Sequence, residues 1–497
     1  MNTLATAPPD RGRRPGGAAP DAPRPVENAE ALETSRNRLV VAGILLAAGF
    51  LAVAARLVDV AFIGPAQQPH LAGGAGTTPA RRADITDRNG VLLATSLATA
   101  SLYADPRKLM DVEAAVEKIS GALPDLDRGE LRAKLTADTS FVWIRRNLTP
   151  RQQYRVHRLG LPGLDFRREA RRVYPHGSLA AHVVGFTGID GDGLAGVERS
   201  LDARLRRGRE SLGLAIDSRV QQILRQELAA QVAHFDALGA GGVVLDARNG
   251  EVLALVSLPD FDPNLAGQAS EDARFNRVTL GVYELGSVFK IFNHAVALET
   301  GTASLADSYD ATRPIRIARF TITDFHGEAR WLTLPEIFMY SSNIGAAKMA
   351  LDVGAEAQRH FLSKLGLLRR SAIELPEAAA PLYPSPWRAI NTMTIAYGHG
   401  IAVSPLHLAS AVAAVVNGGV MHPPTLLTRR PGDPVPGTRV ISARVSDQMR
   451  RLMRLVVEHG TGKNGDAPGY LVGGKTGTAE KLMDGRYQRD ALISSFV

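Results

Sequence analysis

The stretch "GAGGVVLDARNGEVLALVSLP" (Gly239–Pro259) predicts a β-hairpin. Two runs rich in Val and Leu flank "DARNG", and an Asn-Gly pair is typical of the turn between antiparallel strands. Near the C-terminus, "YLVGGKTGTAEKL" and "YQRDALISSFV" predict two more strands, whereas helical patterns dominate residues 285–420. Strands at both ends of a helical region favour an α/β domain, in which helices pack on a sheet.

The segment just before the hairpin marks a change of pattern. From residue 211, "SLGLAIDSRVQQILRQELAAQVAHF" begins as a short strand and continues as an amphipathic helix. Its predicted apolar face consists of Val220, Ile223, Leu224 and Leu228.

Residues 81–210 predict a separate folded region. "DRNG" is a turn sequence, "VLLATSL" after it predicts a strand, and residues 107–160 are helical in pattern, with helix punctuation at "LTPRQ" near Pro150. The region contains no recognisable catalytic constellation. We therefore expect a structural or docking module, joined to the upstream sequence by a Gly/Pro-rich linker at residues 64–80.

The N-terminus predicts a membrane anchor. Residues 1–38 are rich in Pro, Ala and Gly and predict a disordered tail. Residues 39–63 are apolar enough to cross a ~30 Å hydrocarbon core as a helix. A cleaved signal peptide is the alternative, since Ala52-Val53-Ala54 resembles a cleavage site. Arg36 and Arg38 precede the apolar run, so the positive-inside rule places the N-terminus in the cytoplasm and everything after residue 64 outside it.

Composition excludes some classes of function. The 497 residues predict two or three domains, and the net charge of +8 raises the possibility of nucleic-acid binding. The Arg residues are spread thinly and no nucleic-acid-binding motif is present, so we predict no such partner. The absence of Cys excludes disulfides and thiolate metal sites.

The stretch "YELGSVFKIF" (Tyr283–Phe292) contains a candidate nucleophile and base. Ser287 and Lys290 are i and i+3 neighbours if the helix continues through "SVFKIFNHAVALE". Lys can lose its proton when desolvated, whereas Arg cannot, and a deprotonated Lys can activate a Ser hydroxyl. The alternative is a helix-capping Ser beside an incidental Lys.

Two further stretches favour the catalytic interpretation of Ser287 and Lys290 over the capping interpretation. "MYSSNIGAAKMA" contains Ser341 and Asn343 and by itself indicates a helix N-cap, and "VGGKTGTAEK" contains Lys475-Thr476-Gly477 and by itself indicates a turn. Ser-x-x-Lys, Ser-x-Asn and Lys-Thr-Gly in this order are a motif set of class A β-lactamases and penicillin-binding proteins.

The chain from about Arg36 to Val497 resembles the class B penicillin-binding proteins, most closely the division-specific FtsI type. The segments that carry the resemblance include "DITDRNGVLLATS", "RRVYPHGSLAAHVVGFTGIDGDGLAGVE", "RFNRVTLGVYELGSVFKIF", "AYGHGIAVSPLHLA" and "GTGKNGDAPGYLVGGKTGTAEK". The resemblance implies a D,D-transpeptidase that cross-links peptidoglycan. It also implies a non-catalytic pedestal at residues 81–210 and, at residues 211–497, a penicillin-binding/β-lactamase-like domain with helices on both faces of a sheet.

The resemblance implies a role for each motif residue. Ser287 attacks the penultimate D-Ala of a stem pentapeptide, Lys290 takes its proton, Ser341 relays a proton to the leaving amine, and Asn343 orients substrate and Lys290. Lys475, Thr476 and Thr478 hold the terminal carboxylate, and Gly477 lets the substrate backbone approach. The backbone N–H groups of Ser287 and Thr478 form the oxyanion hole.

The resemblance also implies partners and a location. β-Lactams acylate the nucleophile, and neither a metal nor an organic cofactor is needed. An FtsW-type glycan polymerase and other division proteins are the implied partners of the anchor and pedestal. The implied location is the inner membrane, with a single span and a periplasmic catalytic domain.

One departure and several alternatives remain at this stage. Members of the family that this chain resembles continue past the Lys-Thr-Gly strand with further strands and a C-terminal helix, whereas this sequence stops at "ISSFV". We therefore expect either a fragment or a defective, incompletely paired sheet. A secreted β-lactamase, which lacks the anchor and pedestal, is disfavoured. A D,D-carboxypeptidase, the elongation-specific class B relative and a non-catalytic division scaffold remain open.

Overall fold

The structure is a computed structural model. It describes residues 40–41, 43–54, 82–208, 210–317, 320–325, 327–430, 432–483 and 486–497. The chain divides into two compact units, residues 1–76 and residues 77–497.

In the first unit the described residues form a helix. Residues 40–41 and 43–54 are helical, and their large apolar side chains are 54% to 71% exposed. Within the described part of the chain, no helix has both the length and the apolar character that a membrane span requires. The predicted tail (residues 1–38), the end of the predicted anchor (residues 55–63) and the predicted linker (residues 64–80) lie outside the described residues.

The second unit begins with a five-stranded sheet. Its strands are β1 (Ile85–Thr86), β2 (Leu92–Ala104), β3 (Val142–Leu148), β4 (Leu164–Val173) and β5 (Leu212–Gly213). Strand β2 pairs antiparallel with β1, β3 and β4, and β5 pairs in parallel with β1. The "VLLATSL" prediction is therefore confirmed, and β1 and β5 connect the two ends of this region.

Three helices cover part of this sheet: α1 (Val112–Ala122), α2 (Arg128–Leu135) and α3 (Pro150–His157). Helix α3 begins at Pro150, within the predicted helix punctuation "LTPRQ", and Thr149 and Gln152 form a capping box. The prediction of helix throughout residues 107–160 is wrong for β3. Ile144 and Leu148 of β3 are 4% and 3% exposed and share a core with α1 and α2, so pairing with β2 buries them.

A cluster of buried charged side chains lies in the first part of the second unit. Glu198 has an exposure of 0%, and its carboxylate accepts bonds from Arg82 Nε (2.5 Å) and Arg172 Nε (2.6 Å). Arg82 also donates to the Glu198 carbonyl and, at 2.7 Å, to Asp202. Glu198 is in the short helix α5 (Gly196–Ser200), and Asp202 begins α6 (Asp202–Arg207). A third short helix, α4 (Ala181–Val184), precedes them in the chain.

The predicted hairpin is confirmed as β6 (Ala240–Leu245) and β7 (Val252–Leu258). Helix α7 (Ser218–His234) lies on it so closely that a Cβ on Gly242 would lie 2.8 Å from Leu228 Cδ1. The predicted apolar face of α7 is half-buried at Val220, Leu224 and Leu228. Ile223 is 61% exposed, because a helix on a two-stranded hairpin buries only a narrow stripe.

The rest of the unit is mainly helical, with the predicted C-terminal strands at its end. The helices are α8 (Glu271–Arg274), α9 (Lys290–Thr300), α10 (Leu334–Met339), α11 (Asn343–Val353), α12 (Ala355–Lys364), α13 (Ala389–Ile395), α14 (Pro405–Val416) and α15 (Ala443–Glu458). The strands are β8 (Ser308–Asp310), β9 (Ile315–Ile317), β10 (Phe320–Ile322), β11 (Trp331–Thr333), β12 (Val420–Met421), β13 (Thr438–Arg439), β14 (Thr476–Met483) and β15 (Arg486–Phe496).

The prediction of one sheet shared by both hairpins needs correction. Within the described residues, β6–β7 and β14–β15 form separate two-stranded ladders. Strand β14 packs on the turn at residues 286–289, whereas β6 packs against α7 and α14. Helices and turns, not a common ladder, therefore position each hairpin.

Helix α9 is the centre of the main core. Each of its residues from Lys290 to Leu298 is buried, and α10, α11, α12, α14 and α15 all contact it. A charged side chain at the start of this helix is therefore out of water, which makes its contacts decisive for its chemistry.

Candidate active site

Ser287 lies in a short 3₁₀ turn, Gly286–Phe289, that runs directly into α9. Gly286 has φ = +61°, a conformation that favours glycine, and a Cβ there would lie 2.5 Å from Thr478 O. The turn that presents the serine is therefore pressed against strand β14. The predicted helix through "SVFKIFNHAVALE" is confirmed.

Lys290 lies one turn further on, with an exposure of 0%. Its Nζ is 2.7 Å from Ser287 Oγ, 2.7 Å from Asn343 Oδ1 and 3.3 Å from Ser341 Oγ. Burial, and next the charge of Lys475, hold the pKa of Lys290 well below its usual value. The side chain is thus placed and tuned to exchange a proton with a hydroxyl.

Ser341 and Asn343 come from the turn that opens α11. The N-cap of this helix is Ser342, whose Oγ accepts a hydrogen bond from Gly345 N. Ser341 and Asn343, on either side of Ser342, are therefore not needed as the cap and both contact Lys290. Ser341 has φ = +64°, which is strained for a residue with a side chain and is typical of functional sites. Asn343 Nδ2 donates to Thr323 O at 3.0 Å, which orients its Oδ1 towards Lys290 Nζ.

Asp324 holds this turn, and sequence reasoning missed it. Its Oδ1 accepts from Asn343 N (2.6 Å) and Ile344 N (2.9 Å), and its Oδ2 accepts from Ser342 Oγ (2.7 Å). A carboxylate at a helix N-terminus satisfies free N–H groups and interacts favourably with the helix dipole. Asp324 is therefore a positioning residue for the Ser-x-Asn motif.

Lys475 contacts the same Ser341 hydroxyl as Lys290. Its Nζ lies 3.0 Å from Ser341 Oγ and 3.1 Å from Thr476 O, and its exposure is 0%. Burial lowers the pKa of Lys475 to about 7. Two lysines thus share Ser341 Oγ, which gives a path for a proton between them and the serine.

The three residues after Lys475 begin β14. Thr476 is half-buried, with its Oγ1 2.6 Å from Thr461 Oγ1, and Thr478 is exposed. A Cβ on Gly477 would lie 2.3 Å from Leu285 O, so the nucleophile turn itself requires glycine there. The family resemblance implies that Gly477 admits the substrate backbone, and the contact with Leu285 O is a second reason for glycine at this position.

A second glycine contact lies behind the nucleophile. Gly398 has φ = +81°, and a Cβ on it would lie 2.1 Å from Gly286 O. The loop at residues 397–400, the nucleophile turn and β14 are thus stacked main chain on main chain. The Tyr397 ring beside this stack has its centroid 5.8 Å from Lys290 Nζ.

The motif residues predicted from the sequence therefore lie in one place. Ser287, Lys290, Ser341, Asn343 and Lys475 form a continuous set of contacts across α9, α11 and β14. Among the described residues, no group of three or more His, Cys, Asp or Glu side chains is placed to hold a metal ion.

Comparison with known families identifies two matches. The model of the penicillin-binding protein transpeptidase domain matches residues 240–497, and the model of the penicillin-binding protein dimerisation domain matches residues 77–227.

Curated relatives match over most of the chain. The probable peptidoglycan D,D-transpeptidase FtsI of Caulobacter vibrioides is 41% identical over 424 residues, which cover 84% of this chain and 72% of that protein. The chain belongs to the class B penicillin-binding proteins. It is a serine-type peptidoglycan D,D-transpeptidase similar to FtsI. The FtsI of Escherichia coli is 32% identical over 82% of this chain and 74% of its own length.

A solved penicillin-binding protein has a similar fold. The crystal structure of penicillin-binding protein 3 from Mycobacterium tuberculosis, in complex with aztreonam, matches with a TM-score of 0.66 and 27% identity. The match covers 84% of this chain and 86% of that one.

Proposed function

We propose that this transpeptidase works through an acyl-enzyme on Ser287, with Lys290 as the base. The observation that carries the proposal is the position of Lys290 Nζ, buried and 2.7 Å from Ser287 Oγ. Nucleophile and base lie within hydrogen-bond reach, and the lowered pKa of Lys290 favours the neutral amine that a base must be.

In acylation, Lys290 takes the Ser287 proton as Oγ attacks the carbonyl carbon of the penultimate D-Ala. The bond from that carbon to the nitrogen of the terminal D-Ala then breaks. Ser341 gives its proton to the leaving nitrogen and regains one from Lys290, 3.3 Å away. Asn343 keeps the Lys290 amine aligned between the two hydroxyls.

Residues of β14 hold the substrate. The Lys475 ammonium attracts the terminal carboxylate, and Thr476 and Thr478 supply hydroxyl donors to it. The N–H groups of Ser287 and Thr478 stabilise the oxyanion, an arrangement worth roughly 3–4 kcal/mol per donor in other enzymes.

Cross-linking completes the cycle. An amine of a neighbouring stem peptide attacks the ester carbonyl, its proton passes to Lys290, and Ser287 Oγ leaves and regains a proton. β-Lactams acylate the same serine in place of the stem peptide. If water attacked instead, the enzyme would be a carboxypeptidase, so analysis of products from a stem pentapeptide with an acceptor amine distinguishes the two.

Intact-mass analysis after incubation with benzylpenicillin tests the nucleophile. We expect one adduct on the full-length chain and none on the Ser287→Ala variant. Ser410→Ala, a buried serine in α14, is the matched control and should keep the adduct. An adduct on folded Ser287→Ala, or none on the folded unaltered chain, would refute the proposal.

We also propose that residues 39–63 anchor the chain in the inner membrane, with residues 1–38 in the cytoplasm and the rest in the periplasm. The exposed apolar side chains of residues 40–54 support this, because an apolar helix without a protein core suits lipid. Protease added to spheroplasts should digest the chain from outside, and deletion of residues 39–63 should release it from membranes. Recovery of the full chain in the soluble fraction would contradict the anchor.

For domain organisation we propose a pedestal at residues 81–210 and a catalytic domain at residues 211–497, after a linker at residues 64–80. We further propose a septal role, with an FtsW-type polymerase and other division proteins as partners of the anchor and pedestal. The names of the FtsI relatives support the septal role.

Two cellular experiments test these roles. A fluorescent fusion that accumulates at the division site supports the septal role, whereas an even side-wall signal supports the elongation-specific alternative. Survival of cells that carry only Ser287→Ala would favour a scaffold.

A further inference from the structure

A cavity of about 240 Å³ lies away from the active site, between the pedestal segment 181–196 and the residues that follow β7. None of the motif residues lines it. The lining residues used below are His182, Phe186, Phe261, Arg274, Asn276 and Glu377.

Asn276 is the most informative of these residues, with an exposure of 1%. Its Oδ1 accepts from Val278 N (3.0 Å) and Thr279 N (3.2 Å), which fixes the orientation of the amide. Its Nδ2 is buried and has no hydrogen-bond partner among the described residues. Buried donors are nearly always paired, so this nitrogen is available to an acceptor on an occupant of the cavity.

Two opposite charges also face the cavity without full partners. Arg274 is exposed, and its guanidinium makes no ion pair or hydrogen bond with another described residue. Glu377 accepts two long bonds, 3.3 and 3.2 Å, from Gly196 N, and no described cation pairs with it.

The remaining walls are apolar or neutral. Phe186 and Phe261 meet edge to face at 5.9 Å. His182 Nε2 lies 2.8 Å from Ala273 O, and burial lowers the pKa of His182, so the ring is neutral and donates through Nε2. Its Nδ1 is therefore an acceptor.

We propose that this cavity binds an α-amino acid in its zwitterionic form. The carboxylate accepts from Arg274 and Asn276 Nδ2, the ammonium donates to Glu377, and a small side chain packs on the two Phe rings. The volume is below the ~300–1,000 Å³ of pockets for drug-sized ligands but far above the ~30 Å³ that one water occupies.

The occupant would touch both halves of the second unit. Gly196 and His182 come from the pedestal side, and Asn276 and Glu377 come from the catalytic side, so binding would fasten the two together. Two sources supply such a ligand: the D-Ala that the transpeptidase releases, and free amino acids in the surroundings. Separate titrations with D-alanine, L-alanine and glycine distinguish them.

Calorimetric titration of the full-length chain tests the proposal. The active site is first blocked with benzylpenicillin, and mass analysis checks that the block is complete. A failure of the Ser287 chemistry is therefore detected before binding is measured. If no adduct forms, Ser287→Ala replaces the blocked chain in the titration. We expect saturable binding of at least one amino acid, weakened at least 10-fold in Glu377→Gln and in Arg274→Gln. Arg451→Gln, on the distant helix α15, is the control and should bind normally.

Ala195→Leu provides a variant that keeps every charge. Ala195 also lines the cavity, so a larger side chain should fill it and abolish binding while circular dichroism remains unchanged. Binding of D-alanine alone would identify the reaction product as the ligand, and binding of all three would identify amino acids in general. No saturable binding, or equal affinity in the three cavity variants and the control, would overturn the proposal.

Discussion

At the scale of single residues, the site depends on a lysine where this chain otherwise prefers arginine. Lys290 is buried among three oxygen acceptors, and its pKa is held well below the usual value. An arginine at this position would keep its proton. The removable proton, rather than the charge, is therefore what position 290 contributes.

Lys290→Arg should reduce the rate of benzylpenicillin acylation at least ~100-fold, the lower end of what a general base supplies. Time-resolved intact mass measures the rate, and circular dichroism shows whether the variant is folded. Lys348→Arg is the matched control, because Lys348 donates to Asp310 O and a fixed charge suffices there. Normal acylation in Lys290→Arg would contradict the assigned role.

The second lysine predicts a pH dependence. Lys290 becomes a base only after deprotonation, so acylation should rise with pH on the acid side. The pKa of Lys475, lowered by burial to about 7, means that its positive charge is lost as pH rises through that value. Attraction of the ligand carboxylate should then weaken, and the second-order acylation constant should fall on the alkaline side.

Stopped-flow acylation across pH 5 to 9, read as a rate constant per concentration of benzylpenicillin, checks this profile. In Lys475→Ala the residual acylation should be slower and should lack the alkaline fall. An unchanged alkaline midpoint in that variant would assign the fall to another group.

At the scale of secondary-structure elements, the start of α11 depends on a residue from another segment. Asp324 follows β10 and takes up two N–H groups and one hydroxyl of the Ser342 turn. Without Asp324, the Ser342 cap alone would hold the strained turn that carries Ser341 and Asn343.

Asp324→Ala should therefore slow acylation about 10- to 100-fold, equivalent to the ~1.5–3 kcal/mol of a hydrogen bond to a charged group. Asp324→Asn should recover most of the rate, because an amide oxygen can still accept from Asn343 N and Ile344 N. Single-turnover acylation at increasing benzylpenicillin concentrations separates the effects. The maximal rate should fall more than the initial affinity, and equal losses in both variants would argue against a positioning role.

The sequence predicted the motif residues but not what holds them. Ser287 and Lys290 are i and i+3 neighbours, and Ser341 and Asn343 share one turn, so the members of each pair are close because they are close in sequence. Asp324 follows the short strand β10 (Phe320–Ile322), and no sequence spacing predicts its contact with α11. The sheet was predicted from strand patterns alone, which specify each hairpin but not whether two hairpins share hydrogen bonds.

At the scale of the whole molecule, the buried cluster of Glu198 with Arg82 and Arg172 connects distant parts of the proposed pedestal (residues 81–210). Arg82 precedes β1, Arg172 is in β4, and Glu198 is in α5. Removing the one carboxylate would leave two largely buried guanidinium groups without their shared counter-charge.

Glu198→Gln should lower the free energy of unfolding by about 3–5 kcal/mol, the range for breaking a buried ion pair. Urea denaturation followed by circular dichroism measures the change, and limited proteolysis shows whether the pedestal opens first. Glu227→Gln, an exposed position on α7, should change stability by less than ~0.5 kcal/mol. Indistinguishable denaturation curves for the two variants would show that the cluster is not needed for stability.

The stack of Gly398, Gly286 and Thr478 has a consequence for how β-lactam resistance can arise in this enzyme. The wall behind the nucleophile is made of main chain, and any side chain at Gly398 or Gly286 would collide with a carbonyl oxygen. Selection by a drug therefore has no viable substitution there. Mutations that lower drug acylation but spare cell-wall synthesis should accumulate instead at side chains around the stack, such as Tyr397.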